Sequence, residues 1–402
     1  MIALSRALAL ISTAAATSAL LAAPALAQGE WPSCVQSIKD EAMRQSVPQN
    51  IADRAFQNLT PDPKVMDLDT RQPEFSLTYG KYIANAVSAD RIAKGQQRLA
   101  QHRGLLEALQ SEYGVPPQYI MAFWGVETNY GGYMGDFLVV RSVATLACMT
   151  KRRDFFTNES VQALRILAMN HMTREQMRGS WAGAMGNMQF MPSTFMKYGV
   201  DRTGDGKIDL WTSLPDAFAS AANFLRGIGW KPGLPAAAEV ILPSNFPLDQ
   251  ADTTVEKPVR AWAQMGVKLA GSAPLPASDE PSAIILPAGY RGPAFILYPN
   301  FKAVMNWNRS TLYALSVAIL AQQIAGGPGV MQPPPADDEP LSRDTVIDMQ
   351  NRLARLTLYT DEVDGLLGPK TRSAVRLYQK KIGMPADGHP TPEFVRRLQQ
   401  GR

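Results

Sequence analysis

The sequence predicts a mainly α protein with a small β-containing insertion and a separate C-terminal module of three short helices. Three observations lead there. Apolar residues recur at helical spacing through most of 31–226 and again over 300–325. Between these stretches, from Lys231 to Pro299, prolines and glycines are dense and short β-rich runs replace the helical pattern. The run GGPGVMQPPPADDEP at 326–340 reads as a linker, glycine- and proline-rich at one end and acidic at the other. A chain of 402 residues has room for two or three such units. The expected division is a main unit at 28–325 with its insertion at about 231–299, a linker at 326–341 and a module at 342–402.

Residues 1–27 read as an export signal and not as part of the fold. Arg6 gives the positive start, Ala7 to Leu21 the apolar run and Ala25-Leu26-Ala27 the cleavage site. Cys34 lies too far beyond that site to carry a lipid, and no later stretch is apolar for long enough to span a bilayer. A soluble periplasmic protein, acting as a monomer, is therefore expected. Helices are expected at 34–45, 48–58, about 80–98 and 99–112, with a turn at Pro61-Asp62-Pro63. Next comes PPQYIMAFWGVETNYGGYMG at 116–135, where the proline pair opens a helix and Gly131-Gly132 ends it. Helices at 137–149 and 158–170 follow, then a small-residue stretch at 173–199 suited to close backbone approach. A further helix runs from Asp216 to about Arg226, and strands are expected at 238–242, 282–286 and 294–298. In the tail, Leu353, Leu356, Val375 and Tyr378 should form the core around a tight Asp364-Gly365 turn.

The two cysteines, Cys34 and Cys148, leave two readings open. They form a disulfide tying the N-terminal arm to the core, as an oxidising compartment permits, or they remain buried thiols. The formal charge of +4 is too small to indicate a nucleic-acid partner.

Glu127 is the candidate for chemistry. It continues a stripe of Ile120, Phe123 and Trp124, where a carboxylate is out of place. Burial and the negative end of the helix dipole both raise its pKa, as a general acid near neutral pH requires. Ordinary glycosidases pair two carboxyl groups. Asp136, the nearest in sequence, lies beyond the glycine turn, so a single-acid reaction in which the substrate supplies its own nucleophile is expected. Arg152, Arg153, Ser180, Asn187 and Gln189 are candidates for sugar hydroxyls and acetamides, each with a structural hydrogen bond as its alternative. Asp201, Thr203, Asp205, Lys207 (through its carbonyl) and Asp209 follow the spacing of an EF-hand-type loop, with Gly206 at its sixth position. Thr212 occupies the twelfth position, so the loop is expected to run beyond the standard length to the next carboxylate, Asp216, as its closing ligand. A structural calcium is expected, the alternative being an acidic turn without metal. No organic cofactor is expected. The histidines, His102, His171 and His389, lack zinc-enzyme spacing, and no nucleophile elbow or phosphate-cradling loop is present.

Five motifs then carry a resemblance: GVETNYGGYMG around Glu127, KRRDFF at 151–156, GSWAGAMGNMQFMPST at 179–194, the acidic loop, and YPNF at 298–301. Together they resemble the lytic murein transglycosylase B family, glycoside hydrolase family 103. The resemblance implies a lysozyme-like transglycosylase core with an extra α domain and a small β-containing domain. It implies that Glu127 is the sole acid/base for the bond between N-acetylmuramic acid and N-acetylglucosamine, leaving a 1,6-anhydromuramic end. Arg152, Arg153, Ser180 and Gln189 match cleft residues, and Asn300 a further contact. Phe224 stands where the family often has tyrosine. The tail, with Asp364-Gly365-Leu366-Leu367-Gly368-Pro369-Lys370-Thr371 and AVRLYQ at 374–379, resembles the peptidoglycan-binding type 1 module. A wall tether would raise the local glycan concentration. The implied partners are peptidoglycan glycan strands, with other cell-wall enzymes as further candidates. Two alternatives stand beside this: a muramidase hydrolysing the same bond with water, and a non-catalytic adaptor. The retained Glu127 argues against the adaptor.

Overall fold

The computed structural model describes residues 27–70 and 77–401; the expected export signal lies outside them but for Ala27. Seven helices come first: α1 Ala27–Arg44, α2 Gln49–Phe56, α3 Pro63–Thr70, α4 Tyr79–Ala86, α5 Ala89–Gln101, α6 Arg103–Tyr113 and α7 Pro117–Thr128. The chain continues through β1 Phe137–Leu138, α8 Val139–Met149, α9 Arg153–Ala168, β2 Arg178–Gly179, α10 Pro192–Tyr198 and α11 Leu214–Gly227. Several boundaries depart from the sequence pattern for local reasons. The helix expected at 80–98 is two, because the Ser88 hydroxyl accepts the Arg91 N–H and caps α5. Pro63 does not only end a turn; it is the first residue of the unforeseen α3, where its missing N–H costs nothing. α9 starts at Arg153, five residues earlier than expected.

α7 is the axis of this unit. It was expected to be apolar along one stripe, but Tyr119 to Gly125 are all buried, so it is apolar on every side. It packs against α14 (Thr311–Ile324), α5, α6 and α11 inside one continuous core. The stretch expected as one helix at 300–325 is α13 Pro299–Trp307 and α14, separated where Ser310 caps α14 by accepting the Tyr313 N–H. Cys34 of α1 and Cys148 of α8 are joined in a disulfide across 114 residues, with their Cα atoms 5.7 Å apart. Closing a loop of that length stabilises by about 4–5 kcal/mol in the chain-entropy account.

The insertion is an antiparallel five-stranded sheet, ordered β4-β6-β7-β3-β5. Its strands are β3 Ala237–Ile241, β4 Lys257–Pro258, β5 Lys268–Leu269, β6 Pro281–Ile285 and β7 Ala294–Leu297, with α12 Val259–Gln264 against them. Trp262, Val259, Ile284 and Ile296 centre a core of its own. The two-residue β4 and β5 and the short α12 carry too little periodicity to be read from sequence.

The tail comprises α15 Arg343–Arg355, α16 Pro369–Lys381 and α17 Pro392–Gln400. Leu353, Val375 and Tyr378 are buried as expected, but Leu356 is 38% exposed, and Met349 and Phe394 complete the core instead. The segment leading to it is held along the insertion. The Glu239 carboxylate accepts the N–H groups of Met331 and Gln332 at 2.7 and 2.8 Å, and Asp337 pairs with Arg291. The tail in turn docks through an Arg376–Asp252 ion pair with both side chains nearly buried.

Candidate active site

Glu127 sits in the last turn of α7, which ends at Asn129 in the left-handed region (φ 51°) rather than at the glycine pair. Its Oε1 accepts two hydrogen bonds, from the Trp307 indole N–H at 2.8 Å and from the Tyr313 hydroxyl. Trp307 stacks on Phe123 with ring centroids 4.2 Å apart and meets Phe224 and Phe190 at 5.0 and 5.4 Å. This collar shields much of the half-buried carboxyl from water, and desolvation pushes its pKa up to about 7, against the opposing pull of the two donors. Tyr313 is pushed well above the usual phenol range by burial and by the adjacent carboxylate, so it remains a donor. Trp307 and Tyr313 come from α13 and α14, some 180 residues along the chain. No spacing signal could have assigned them to Glu127; only the antiparallel packing of α14 on α7 brings them there.

A cleft opens beside Trp307, lined by Phe155, Gln189, Ser193, Phe224 and Asn306 among others. Phe224 brings no hydroxyl to it, as its identity implied. The backbone of Gln189 lies in the left-handed region (φ 48°), and its amide N–H groups donate to Met134 and Gly186 carbonyls at 3.0 Å each. It therefore ties the cleft wall to the loop that follows Glu127. Arg152 pairs with Asp69 and lies 4.9 Å over the Phe156 ring, while Arg153 is exposed at the start of α9, two residues from Phe155 of the cleft. The Ser180 Oγ accepts the Ala184 N–H at 3.0 Å and closes its own turn.

Two asparagines turn out to be scaffold. Asn187 is buried; its Oδ1 accepts the Trp124 indole N–H at 2.8 Å and its Nδ2 donates to the Leu210 and Trp211 carbonyls. Asn300, expected as a glycan contact, is 0% exposed. Its Nδ2 donates to the carbonyls of Lys231 and Leu234, and its Oδ1 accepts the Lys231 N–H, which fixes the start of the insertion. The asparagine that lines the cleft is Asn306. Glu159, a second carboxylate bordering the cleft, has no signal in the sequence. Both its oxygens are engaged by Ser193, one by the N–H at 2.9 Å and one by the hydroxyl at 2.6 Å.

The protein-family comparison matches residues 30–322 to the Transglycosylase SLT domain and residues 342–398 to the putative peptidoglycan binding domain. The chain belongs to the SLT-domain transglycosylase family. It is 31% identical over 251 residues to membrane-bound lytic murein transglycosylase B of Escherichia coli, covering 61% of this chain and 67% of that protein. SltB3 of Pseudomonas aeruginosa, solved with NAG-NAM-pentapeptide, is 42% identical with a TM-score of 0.88 over 92% of this chain and 99% of that one. The Escherichia coli transglycosylase Slt35, solved with calcium, is 27% identical with a TM-score of 0.63, covering 73% of this chain and 92% of that one. The chain is thus a lytic transglycosylase, a lyase-type enzyme acting on peptidoglycan.

The acidic loop of this transglycosylase is closed by its own backbone. Asp201 accepts the N–H groups of Gly204 and Gly206, Asp205 that of Lys207, and Asp209 those of Trp211 and Thr212. Asp216 is buried, and its two oxygens accept N–H groups of Arg202, Thr203 and Asp209. Gly206, at the sixth position, has the positive φ (85°) that a sharp calcium-loop turn uses. Among the described residues no three acidic, histidine or cysteine side chains converge as a ligand set. The donor order fits calcium, but Asp216, the expected closing ligand, is buried with both oxygens on backbone N–H groups. Among the described residues, no helix is long and apolar enough to cross a membrane.

Proposed function

We propose that Glu127 is the single acid/base that cleaves the β-1,4 bond between N-acetylmuramic acid and N-acetylglucosamine and leaves a 1,6-anhydromuramic end. The observation that carries this is the asymmetry of the carboxyl: Trp307 and Tyr313 both engage Oε1, which leaves Oε2 for the substrate, at a pKa of about 7. Protonated Glu127 gives its proton to the glycosidic oxygen as the bond from C1 of the muramic residue to that oxygen breaks. The C6 hydroxyl oxygen of the same sugar then bonds to C1 and returns its proton to Glu127, so no water is consumed. A hydrolase needs a second group to activate water. Glu159 does not suit that role, because Ser193 engages both of its oxygens. For the glycan we assign contacts to Arg153, Gln189, Asn306 and Phe155 around the cleft, with Ser180 and Arg152 shaping its edge. Export to the periplasm fits both the substrate and the disulfide. To a calcium ion at Asp201, Thr203, Asp205, the Lys207 carbonyl and Asp209 we assign a structural role only.

The test is mass spectrometry of muropeptides released from purified sacculi by the enzyme and by Glu127→Gln. Products lighter by one water than reducing-end ones, absent with the variant, are expected. Reducing-end products would mean a hydrolase. No release by either protein, with binding intact, would leave the adaptor.

A further inference from the structure

The tail builds the same turn clasp twice. In each copy a buried glutamine holds an Asp-Gly turn: the glutamine Oε1 accepts the glycine N–H, Gly365 to Gln350 and Gly388 to Gln379, at 2.8 Å in both. The glutamine Nε2 donates to Oδ1 of Asp364 or Asp387, again at 2.8 Å in both. That same Oδ1 accepts the N–H two residues on, from Leu366 or His389, at 2.8 Å. The sequence repeats accordingly, as Asp-Gly-Leu-Leu-Gly-Pro at 364–369 and Asp-Gly-His-Pro-Thr-Pro at 387–392, and each closing proline opens a helix. The clasp consumes Oδ1 and leaves Oδ2 outside its own hydrogen bonds.

The second copy shows what that free oxygen does. Asp387 Oδ2 accepts the backbone N–H of Tyr290, from the β6–β7 turn of the insertion, at 2.9 Å. The preceding residue is Gly289, and a Cβ built there would stand 2.9 Å from the same oxygen, so the socket admits bare backbone. In the first copy Asp364 is exposed, and among the described residues no donor reaches its Oδ2. The rim is also wider there, since Gly368 stands where the second copy has Thr391, and a Cβ at Gly368 would meet nothing within 4 Å.

We propose that the Asp364 clasp is a peptide site: its Oδ2 accepts a backbone amide N–H from a stem peptide of the wall, as Asp387 accepts Tyr290. This rests on reading the tail as a wall-binding module. Of the two equivalent sockets, one docks the tail on its own enzyme and the other faces the substrate polymer.

The test uses the full mature chain carrying Glu127→Gln, so that no cleavage consumes the ligand. Asp364→Asn keeps an oxygen for Gln350 and Leu366 but puts an NH2 group where the ligand N–H would arrive. Binding to sacculi and to a soluble stem peptide should weaken about tenfold or more, the worth of a hydrogen bond to a charged group, with an unchanged melting temperature. Asp387→Asn should leave peptide binding intact and speed proteolysis within 326–341. Parent-like peptide binding by folded Asp364→Asn overturns the proposal. So does equal affinity of the parent for peptide-free glycan strands and peptide-bearing ones. These readouts involve no bond cleavage, so they stand or fall separately from the anhydro-product assay.

Discussion

At the residue scale, the enzyme keeps a carboxyl acidic enough to ionise yet protonated near neutral pH by setting burial against two hydrogen bonds. Both donors favour the charged form, so losing one raises the pKa further. Tyr313→Phe should therefore move the alkaline limb of the kcat/KM profile to higher pH, and lower the maximum because Trp307 alone then holds Oε1. A limb that stays put would show that the phenol does not control this titration. The same burial has a cost for stability. A carboxyl whose pKa rises from 4.5 to about 7 on folding stabilises nothing by ionising. The native state is unpenalised below the unfolded value and loses stability as pH rises through the folded value. Glu127→Gln should therefore be more stable than the parent at pH 8, by about 3 kcal/mol, and equal to it at pH 4, as calorimetry at the two pH values would show. Glu127 itself was legible, because a carboxylate in an apolar run is anomalous in sequence. Trp307 was not, because its aromatic neighbours and Glu127 are all remote in sequence and meet it only through packing.

At the scale of elements, loops that looked like ligand sites often prove to be self-sufficient. The acidic loop needs no ion to satisfy its N–H groups, since Asp201, Asp209 and the buried Asp216 already do so. Chelation should therefore leave the melting temperature within about 1 °C, and millimolar calcium should add only a small rise, in keeping with a site in the 10⁻⁴–10⁻³ M class. A drop of many degrees in EDTA would show that the ion is integral to the fold. The linker shows the same economy. Its composition suggests a loose tether, yet Glu239, Arg291 and His389 hold it at successive points. Each of those partners is remote in sequence, so composition alone cannot reveal them.

At the scale of the whole molecule, the tail and catalytic unit are joined by docking as well as by chain. SltB3 shares this arrangement to the extent that one superposition covers 92% of the chain. Glu239→Ala removes the acceptor for the Met331 and Gln332 N–H groups. It should speed limited proteolysis within 326–341 several-fold without changing turnover of a short soluble glycan, because neither the cleft nor Glu127 is touched. An unchanged digestion rate would mean that the remaining contacts, Arg376–Asp252 and Asp387–Tyr290 among them, hold the tail without Glu239.

The sequence alone determined the unit order, the helix that carries Glu127, its odd carboxylate and the Asp-Gly turn of the tail, because these are recorded in local spacing. Periodicity, proline and glycine placement and a charge out of context act over a few residues. Only the tertiary structure decided which residues tune Glu127, that Asn300 belongs to the scaffold and Asn306 to the cleft, and that one Asp-Gly clasp is filled while its copy is open. Those outcomes depend on which helix faces pack together, and burial and hydrogen-bond saturation exist only after that packing is made.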